Sequence, residues 1–218
     1  MASSDDLDIT LTGKQTHGAM PWNGIDTVTL AAQIIEALNA ISSRQLDPTE
    51  GPTVITIATV RAGTRRNIIP ESVLLGGTLR TFGERSRQAA LAKITRTVTD
   101  LADSWGARGQ LAPDEDPYPV VYNEPVLTDR MLASLERAAG RSHVRRAPPV
   151  MASEDFGFYQ QRFPGLYYFL GISAAGVAEE DTPPNHSPYF TVNEQALETG
   201  VRAHVILALD YLEREHLK

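Results

Sequence analysis

The sequence predicts a mixed fold with two regions in tandem, α+β in the first and α/β in the second. Residues 6–117 have the element order strand, helix, strand, strand, helix, strand, which is the split βαβ pattern of ferredoxin-like folds. Residues 118–218 have the order helix, helix, strand, helix, and their one strand is apolar throughout. Such a strand is typically buried on both faces of a sheet, so we expect the second region to need neighbouring strands that it does not supply.

The first region is predicted to begin with a strand and a capped helix. In LDITLTGK the side chains of Leu7, Ile9 and Leu11 share one face, and this period of two predicts a half-buried strand. Asp26 precedes a segment with helical spacing and is placed to cap it. The apolar positions of this helix are Val28, Ala31, Ala32, Ile35 and Leu38.

Three strands and a helix complete the first region. TVITIATVRAG is rich in β-branched residues, and ESVLLGGTLRTF contains Gly76 and Gly77, which predict a bulge or a close backbone approach. A short strand in GARGQLAPD ends the region. The long helix before it has its apolar seam at Leu91, Ile94, Val98, Leu101 and Trp105.

The second region is predicted to begin with a helix near Asp129. The segment MASEDFGFYQQRF predicts a second helix, with Ser153 as its N-cap and Glu154 and Asp155 in its first turn. GLYYFLGI predicts the buried strand, and the proline-rich loop EEDTPPNHSPYF follows it. The apolar stripe of the last helix comprises Leu197, Val201, Val205, Ala208 and Leu212.

The composition argues against several classes of partner and site. A formal net charge of −7 disfavours nucleic acid, because phosphate binding needs clustered lysine and arginine. The absence of cysteine removes disulfides, thiolate nucleophiles and cysteine-based zinc sites. No apolar run approaches the length of a membrane span, and the first residues lack the features of a signal peptide. We therefore expect a cytoplasmic protein without a membrane or nucleic-acid partner.

Two histidines lie in loops between predicted elements, where functional groups concentrate. His17 follows the first strand in a glycine-flanked loop. His186 has two interpretations: a loop residue packed by neighbouring prolines, or a metal ligand. His204 lies on the apolar stripe of the last helix and is interpreted as a core residue.

Three other polar residues also have both a structural and a functional interpretation. Asn67 suits a turn. Arg80, inside an apolar strand, either faces solvent or grips a substrate carboxylate through two hydrogen bonds. Glu154 is either stabilised by the helix dipole or lies as a carboxylate beside a site. The chain has no G-x-S-x-G elbow and no glycine-rich phosphate loop, so neither a serine hydrolase nor a nucleotide site is predicted.

Four stretches together resemble a known family. GKQTHGAMP, AGTRRNIIPESVLLGGTLRTF, MASEDFGFY and NHSPYF occur in this order over nearly the whole chain. They resemble the M20 metallopeptidase family, in particular its aminoacylase-like amidohydrolases, such as hippurate hydrolase and the N-acyl-amino-acid amidohydrolases. The resemblance implies hydrolysis of the amide bond of a small N-acyl amino acid.

The resemblance also implies an architecture. A catalytic α/β domain binds two metal ions, usually zinc, and a ferredoxin-like lid is inserted into it. Residues 6–117 resemble this lid, which forms the homodimer. Residues 118–218 resemble the C-terminal portion of the catalytic domain.

Five residues acquire roles by matching the family's motifs. His17 matches the lid histidine that reaches into the partner subunit's site and polarises the scissile carbonyl. Asn67 and Arg80 match lid residues that hold the substrate's carboxylate or carbonyl oxygen. His186 matches the last metal ligand, and Glu154 falls in a motif that lines the metal site.

One part of the family pattern has no counterpart in these residues. The H-x-C-G-H-D type motif and the Glu-Glu pair, which supply most metal ligands and the general base, are missing. We therefore expect a truncated chain with an incomplete site for its divalent metal, zinc or manganese, and no activity of this chain alone. The alternative is a non-catalytic dimerisation or ligand-binding module.

Overall fold

A computed structural model describes residues 1–174, 176–177 and 181–215. The chain divides into two compact units. The first unit comprises Met1–Val121 and Pro149–Gln161, and the second comprises Tyr122–Pro148 and Arg162–Lys218. The predicted second region, residues 118–218, therefore contributes residues 118–121 and 149–161 to the first unit.

The first unit contains the predicted ferredoxin-like fold. Its strands are β1 (Asp5–Thr12), β2 (Thr16–His17), β3 (Val54–Ala62), β4 (Ile68–Ile69), β5 (Ser72–Arg80) and β6 (Arg108–Leu111). Its long helices are α1 (Thr27–Arg44) and α2 (Glu84–Ser104). Four antiparallel strands form one sheet in the order β3-β5-β1-β6, while β2 and β4 pair separately. Helices and sheet share one buried apolar cluster, so the predicted sheet backed by two helices is confirmed.

Strand β1 is central because its alternation allows one whole face to be buried. Leu7, Ile9 and Leu11 are each no more than 1% exposed. The strand pairs with β5 along its full length and with β6 over its second half. The strand predicted from the period of two is confirmed.

Helix α1 has the predicted cap but a different buried face. Asp26 accepts hydrogen bonds from the backbone N–H groups of Val28 and Thr29. Val28 itself is 47% exposed. Larger aliphatic side chains, recurring every three to four residues, turn toward the sheet instead. The buried positions are Thr27, Leu30, Ala31, Ile34, Leu38 and Ile41.

A bulge in β3 faces the predicted glycine pair of β5. The register between these strands shifts between Ile57 and Thr59, which leaves Ala58 without a partner in the ladder. A Cβ atom on Gly77 would lie 2.0 Å from the carbonyl oxygen of Thr56. Both the predicted bulge and the predicted close approach are therefore present, and only glycine fits this position.

Backbone hydrogen bonds tie the segment 149–161 to the start of the chain. The N–H of Ala2 donates to the carbonyl oxygen of Val150 at 3.1 Å. Ser4 and Tyr118 exchange backbone hydrogen bonds of 2.9 and 2.8 Å. The beginning and the end of the ferredoxin-like part therefore lie side by side.

The segment 149–161 ends in a short helix, α3 (Phe156–Gln160). Asp155 occupies its N-cap position without a side-chain capping bond. The prediction that Ser153 caps this helix is wrong, because the Ser153 hydroxyl lies before the helix and accepts a hydrogen bond from Arg80. A Cβ on Gly157 would lie 2.8 Å from the carbonyl oxygen of Pro119, so this glycine allows close packing.

The second unit is built on two helices, α4 (Pro125–Ala139) and α5 (Gln195–Glu215). Helix α4 begins before the predicted Asp129 because the Glu124 side chain caps it, accepting from two backbone N–H groups. The two helices share a buried polar contact, in which the Ser134 hydroxyl donates to the Asp210 carboxylate. Arg137 Nη2 contacts the other carboxylate oxygen at 2.9 Å.

The predicted buried strand at residues 165–172 is not a strand in the described part of the second unit. Its backbone is bound by a side chain instead: the Asn123 amide donates to the Tyr167 carbonyl and accepts from the Tyr167 N–H, both at 2.7 Å. A strand needs a neighbouring strand for its ladder, and this unit offers only helices among its described residues.

The predicted apolar stripe of α5 is exposed. Val201 is 65% and Leu212 is 55% exposed. His204 is also exposed, with its ring centroid 5.6 Å from that of Tyr168, so its interpretation as a core residue is wrong. The helix instead turns Asp210 toward α4, where Ser134 and Arg137 contact its carboxylate. Among the described residues, no helix combines the length and the apolar character needed to cross a membrane.

Candidate functional site

Backbone pairing brings His17 and Asn67 together in the first unit. In the β2–β4 ladder His17 lies opposite Ile68. The N–H of Gly18 donates to the carbonyl oxygen of Asn67 at 2.8 Å. Both predicted residues are exposed. They form what we call the histidine cluster, His17 and Asn67.

The loop around His17 orients the imidazole. The N–H of Ala19 donates to His17 Nδ1 at 3.1 Å, so the neutral ring carries its proton on Nε2. The hydroxyl of Thr16 donates to the carbonyl oxygen of Met20 at 3.1 Å and closes the loop. The ring therefore presents an Nε2–H donor, which suits an oxygen acceptor such as a carbonyl.

Arg80 lies at the last position of β5 and is half-buried. Its Nη1 donates to the Ser153 hydroxyl at 2.9 Å and, at 3.4 Å, to the carbonyl oxygen of Met151. Nε and Nη2 have no protein acceptor among the described residues. A planar pair of N–H donors matches a carboxylate. We call Arg80 and Ser153 the arginine cluster.

A buried ion pair supports the strand end that carries Arg80. Asp5 is 1% exposed and lies opposite Leu79 in the β1–β5 ladder. Arg87 of α2 contacts this carboxylate through Nη2 at 2.6 Å and through Nε at 2.9 Å. The hydrogen bond to Asp5 raises the pKa of Arg87, which favours the charged form of its guanidinium.

The two clusters lie at opposite ends of β5. Asn67 comes shortly before the first residue of the strand, Ser72, whereas Arg80 is the last. At about 3.3 Å per residue the strand spans roughly 26 Å. The start of β5 pairs with the end of β1, which leads into the His17 loop. The structure thus joins His17 with Asn67 and separates both from Arg80.

His186 lies in the second unit, in a turn closed by a 3.1 Å bond from the N–H of Ser187 to the carbonyl oxygen of Pro184. Its φ is 70°, and no other non-glycine residue of the described ranges has a positive φ. This conformation costs an L-residue about 1–2 kcal/mol, and such strain concentrates at functional sites. Within the same ranges no hydrogen bond from Asn185 orients the exposed ring. Metal ligation by His186 stays a prediction.

Glu154 precedes helix α3 and lies outside its first turn, so the helix dipole does not account for it. The residue is half-buried in the first unit. The described part of the chain contains no group of three or more histidine, aspartate or glutamate side chains that could hold a metal ion. Since a catalytic zinc takes about three protein ligands, these residues do not form such a centre by themselves.

Ser153 is the site residue that sequence reasoning missed. It stands before an acidic pair and a short helix, a pattern typical of an N-cap. Its bond to Arg80 joins residues 73 positions apart. No periodicity or motif spacing indicates a contact at that separation, so no sequence signal could have found it.

Comparison with known proteins gives a consistent result. The family described as peptidase dimerisation domain matches residues 3–106. Thermostable carboxypeptidase 2 of Saccharolobus solfataricus is 36% identical over 211 residues, which cover 97% of this chain and 52% of that protein. N-acetylcysteine deacetylase of Bacillus subtilis is 32% identical over 215 residues, which cover 98% of this chain and 53% of that protein.

A solved structure has the same architecture. The YXEP protein of Bacillus subtilis, described as a dinuclear metal binding peptidase from the M20 family, matches with a TM-score of 0.72 and 29% identity. The match covers 98% of this chain and 51% of that one. The chain spans about half the length of the curated relatives it matches.

Proposed function

The chain belongs to the M20 peptidase family, with its dimerisation domain at residues 3–106, and from this premise we propose that it forms part of an amidohydrolase acting on N-acyl amino acids. Relatives named as a carboxypeptidase and as an N-acetylcysteine deacetylase support this reaction class. The observation that carries the proposal is the separation of two polar clusters to opposite ends of β5.

In the proposal, Arg80 binds the substrate carboxylate. Its Nη1 is already engaged by Ser153, and its remaining edge offers N–H donors with the spacing of a carboxylate. A guanidinium stays charged at any physiological pH, so this contact selects free acids over amides.

The histidine cluster acts on the acyl side of the substrate. His17 donates from Nε2 to the scissile carbonyl oxygen, where negative charge develops in the transition state. The exposed residue Asn67, whose backbone pairs with Gly18 beside His17, supplies its side-chain amide as a second donor to that oxygen or to the carboxylate.

One substrate molecule cannot reach both clusters of one subunit. The carboxylate and the acyl carbonyl of an N-acyl amino acid are about one residue apart, on the order of 4 Å. The clusters are separated by a strand of roughly 26 Å. We therefore propose that each site combines Arg80 of one subunit with His17 of the partner subunit, and that the two-fold symmetric dimer contains two such sites.

The metal of the family does not enter these steps. One relative is described as a dinuclear metal binding peptidase. The described residues of this chain supply no ligand group for such a centre, and His186 alone is too few. The roles proposed for Arg80, Asn67 and His17 concern binding and charge stabilisation only.

A subunit-mixing experiment tests the proposal on the whole protein. We expect His17→Ala to lower kcat by about 10²–10³-fold, and Arg80→Ala mainly to raise KM for hippurate. When the two variants are mixed and allowed to exchange subunits, half of the dimers are mixed, and each of these has one site with both residues intact. Activity is then expected to return to about a quarter of the wild-type value.

A second mixture is the matched control. His17→Ala mixed with Asn67→Ala leaves one defect in every site, because both residues come from the same subunit, so no activity should return. Recovery in this control contradicts the placement of His17 and Asn67 from the same subunit in one site. No recovery in the first mixture contradicts a site shared between subunits.

We propose one alternative, a non-catalytic dimerisation or ligand-binding module. It is favoured by the lack of a metal-ligand group among the described residues and by the exposed stripe of α5. Metal analysis separates the two. After equilibration with Zn²⁺ and desalting, the whole protein should retain near-stoichiometric metal as an enzyme and almost none as a module.

A further inference from the structure

We infer that Ser153 is a positioning residue, whose hydroxyl anchors one nitrogen of Arg80 so that the other edge of the guanidinium is held ready for a carboxylate. The inference rests on the proposed role of Arg80 in binding the substrate. Ser153 does not itself touch substrate in this scheme.

The anchor is a specific and supported contact. Arg80 Nη1 lies 2.9 Å from the Ser153 hydroxyl oxygen, the shorter of its two contacts, and 3.4 Å from the Met151 carbonyl oxygen. Both acceptors belong to the segment 149–161, which backbone bonds from Ala2 hold in place. Strand β5 fixes the Arg80 backbone but leaves several rotatable side-chain bonds, and this contact restricts them.

The anchor is neutral, and this distinguishes Arg80 from the nearby Arg87. Arg87 is bound by the carboxylate of Asp5, which neutralises it and makes it a structural residue. Among the described residues, Arg80 is bound only by a hydroxyl and a carbonyl oxygen, so its full positive charge stays available to an anion.

The acidic residues beside Ser153 leave this charge unpaired. Glu154 and Asp155 follow directly in the chain, yet neither forms an ion pair with Arg80 in the described structure. The side chain that is hydrogen-bonded to the guanidinium, Ser153, thus orients it without competing with a carboxylate ligand.

The first test measures the carboxylate preference of the whole protein. Benzoate release is followed with hippurate and with its amide, hippuramide, and the ratio of the two kcat/KM values reports recognition of the carboxylate. We expect Ser153→Ala to lower this ratio by about 10- to 100-fold, the range of one hydrogen bond to a charged group. Ser153→Thr, which keeps the hydroxyl, should restore it, and Ser104→Ala, another serine of the first unit, should leave it unchanged.

The outcomes distinguish the inference from the function on which it rests. Arg80→Ala should abolish the preference, and a preference that survives this change refutes the role of Arg80 itself. If Arg80→Ala abolishes the preference while Ser153→Ala leaves it intact, or lowers kcat/KM equally for both substrates, Ser153 does not position the guanidinium.

A second measurement needs only this chain and no activity. In ¹H–¹⁵N NMR spectra, the guanidinium N–H signals of Arg80 should show hindered rotation in the wild type and free rotation in Ser153→Ala. The signals of Arg87 serve as an internal reference for an intact first unit. Unchanged Arg80 signals in Ser153→Ala, with Arg87 unchanged, overturn the inference.

Discussion

At the scale of single residues, two groups are held in unfavourable states. His186 adopts a φ of 70°, which a glycine would adopt at less cost. The Tyr168 hydroxyl is buried without a hydrogen-bond partner among the described residues. Neither state could be read from the sequence, because each depends on neighbours that the fold supplies. The first lies at a predicted site residue, whereas the second has no such connection.

Tyr168→Phe should stabilise the second unit. Removing an unpaired buried hydroxyl is expected to raise the free energy of unfolding by about 1 kcal/mol at neutral pH. Burial also raises the pKa of Tyr168, so the folded state holds this proton more tightly than the unfolded state. The contribution is complete below the unfolded pKa of about 10 and is lost as pH rises through the folded pKa. The advantage of phenylalanine should therefore be constant below about pH 9 and grow above pH 10.

Urea unfolding of the variant and the wild type between pH 7 and pH 11 measures this difference. Tyr189→Phe is the control. Tyr189 is 77% exposed, so removing its hydroxyl should change the free energy of unfolding neither at pH 7 nor at pH 11. A destabilised Tyr168→Phe protein would mean that the hydroxyl has an acceptor in solution.

At the scale of elements, β3 stands out as an unprotected sheet edge. It pairs with β5 on one side only, and it carries no charge before Arg61. Val54 and Val60 are 40% and 56% exposed. Proteins usually protect such an edge with charge, proline or a covering segment, and a long uncharged edge favours pairing with a second chain. Since residues 3–106 match a dimerisation domain, β3 is the edge that we expect to pair with its copy.

Charges placed on this edge should separate the dimer. We expect Thr56→Lys/Val60→Lys to raise the dimer dissociation constant by at least about 100-fold, because like charges meet across the two-fold axis. Sedimentation equilibrium measures the change. Ala92→Lys/Thr95→Lys adds the same charge on the exposed face of α2 and should leave the mass unchanged. A Thr56→Lys/Val60→Lys protein that remains fully dimeric would exclude β3 as the interface.

Elements were predictable where their pattern is local. The alternation of β1, the cap at Asp26 and the glycine pair of β5 each act within a few residues, and all three are present in the structure. The face of a helix is a weaker prediction, since it depends on what packs against it. The apolar stripe of α5 therefore points to solvent, while Asp210 is buried by Ser134.

At the scale of the whole molecule, the sequence predicted which residues belong to the candidate site but not how the fold distributes them. Motif order identified His17, Asn67 and Arg80 as a set. Only the antiparallel strand pairing shows that Arg80 lies at one end of β5, away from His17 and Asn67. Ser153 entered the site through a contact over 73 positions, for which a linear pattern contains no information.

The contact between the start and the end of the ferredoxin-like part has an evolutionary consequence. The N–H of Val121 donates to the carbonyl oxygen of Met1 at 3.2 Å, so both ends of this part lie at the same place. A module with adjoining ends can be spliced into a surface loop of another protein without stretching either partner. This geometry allows the ferredoxin-like part to be inserted into different proteins while it keeps its own hydrophobic core.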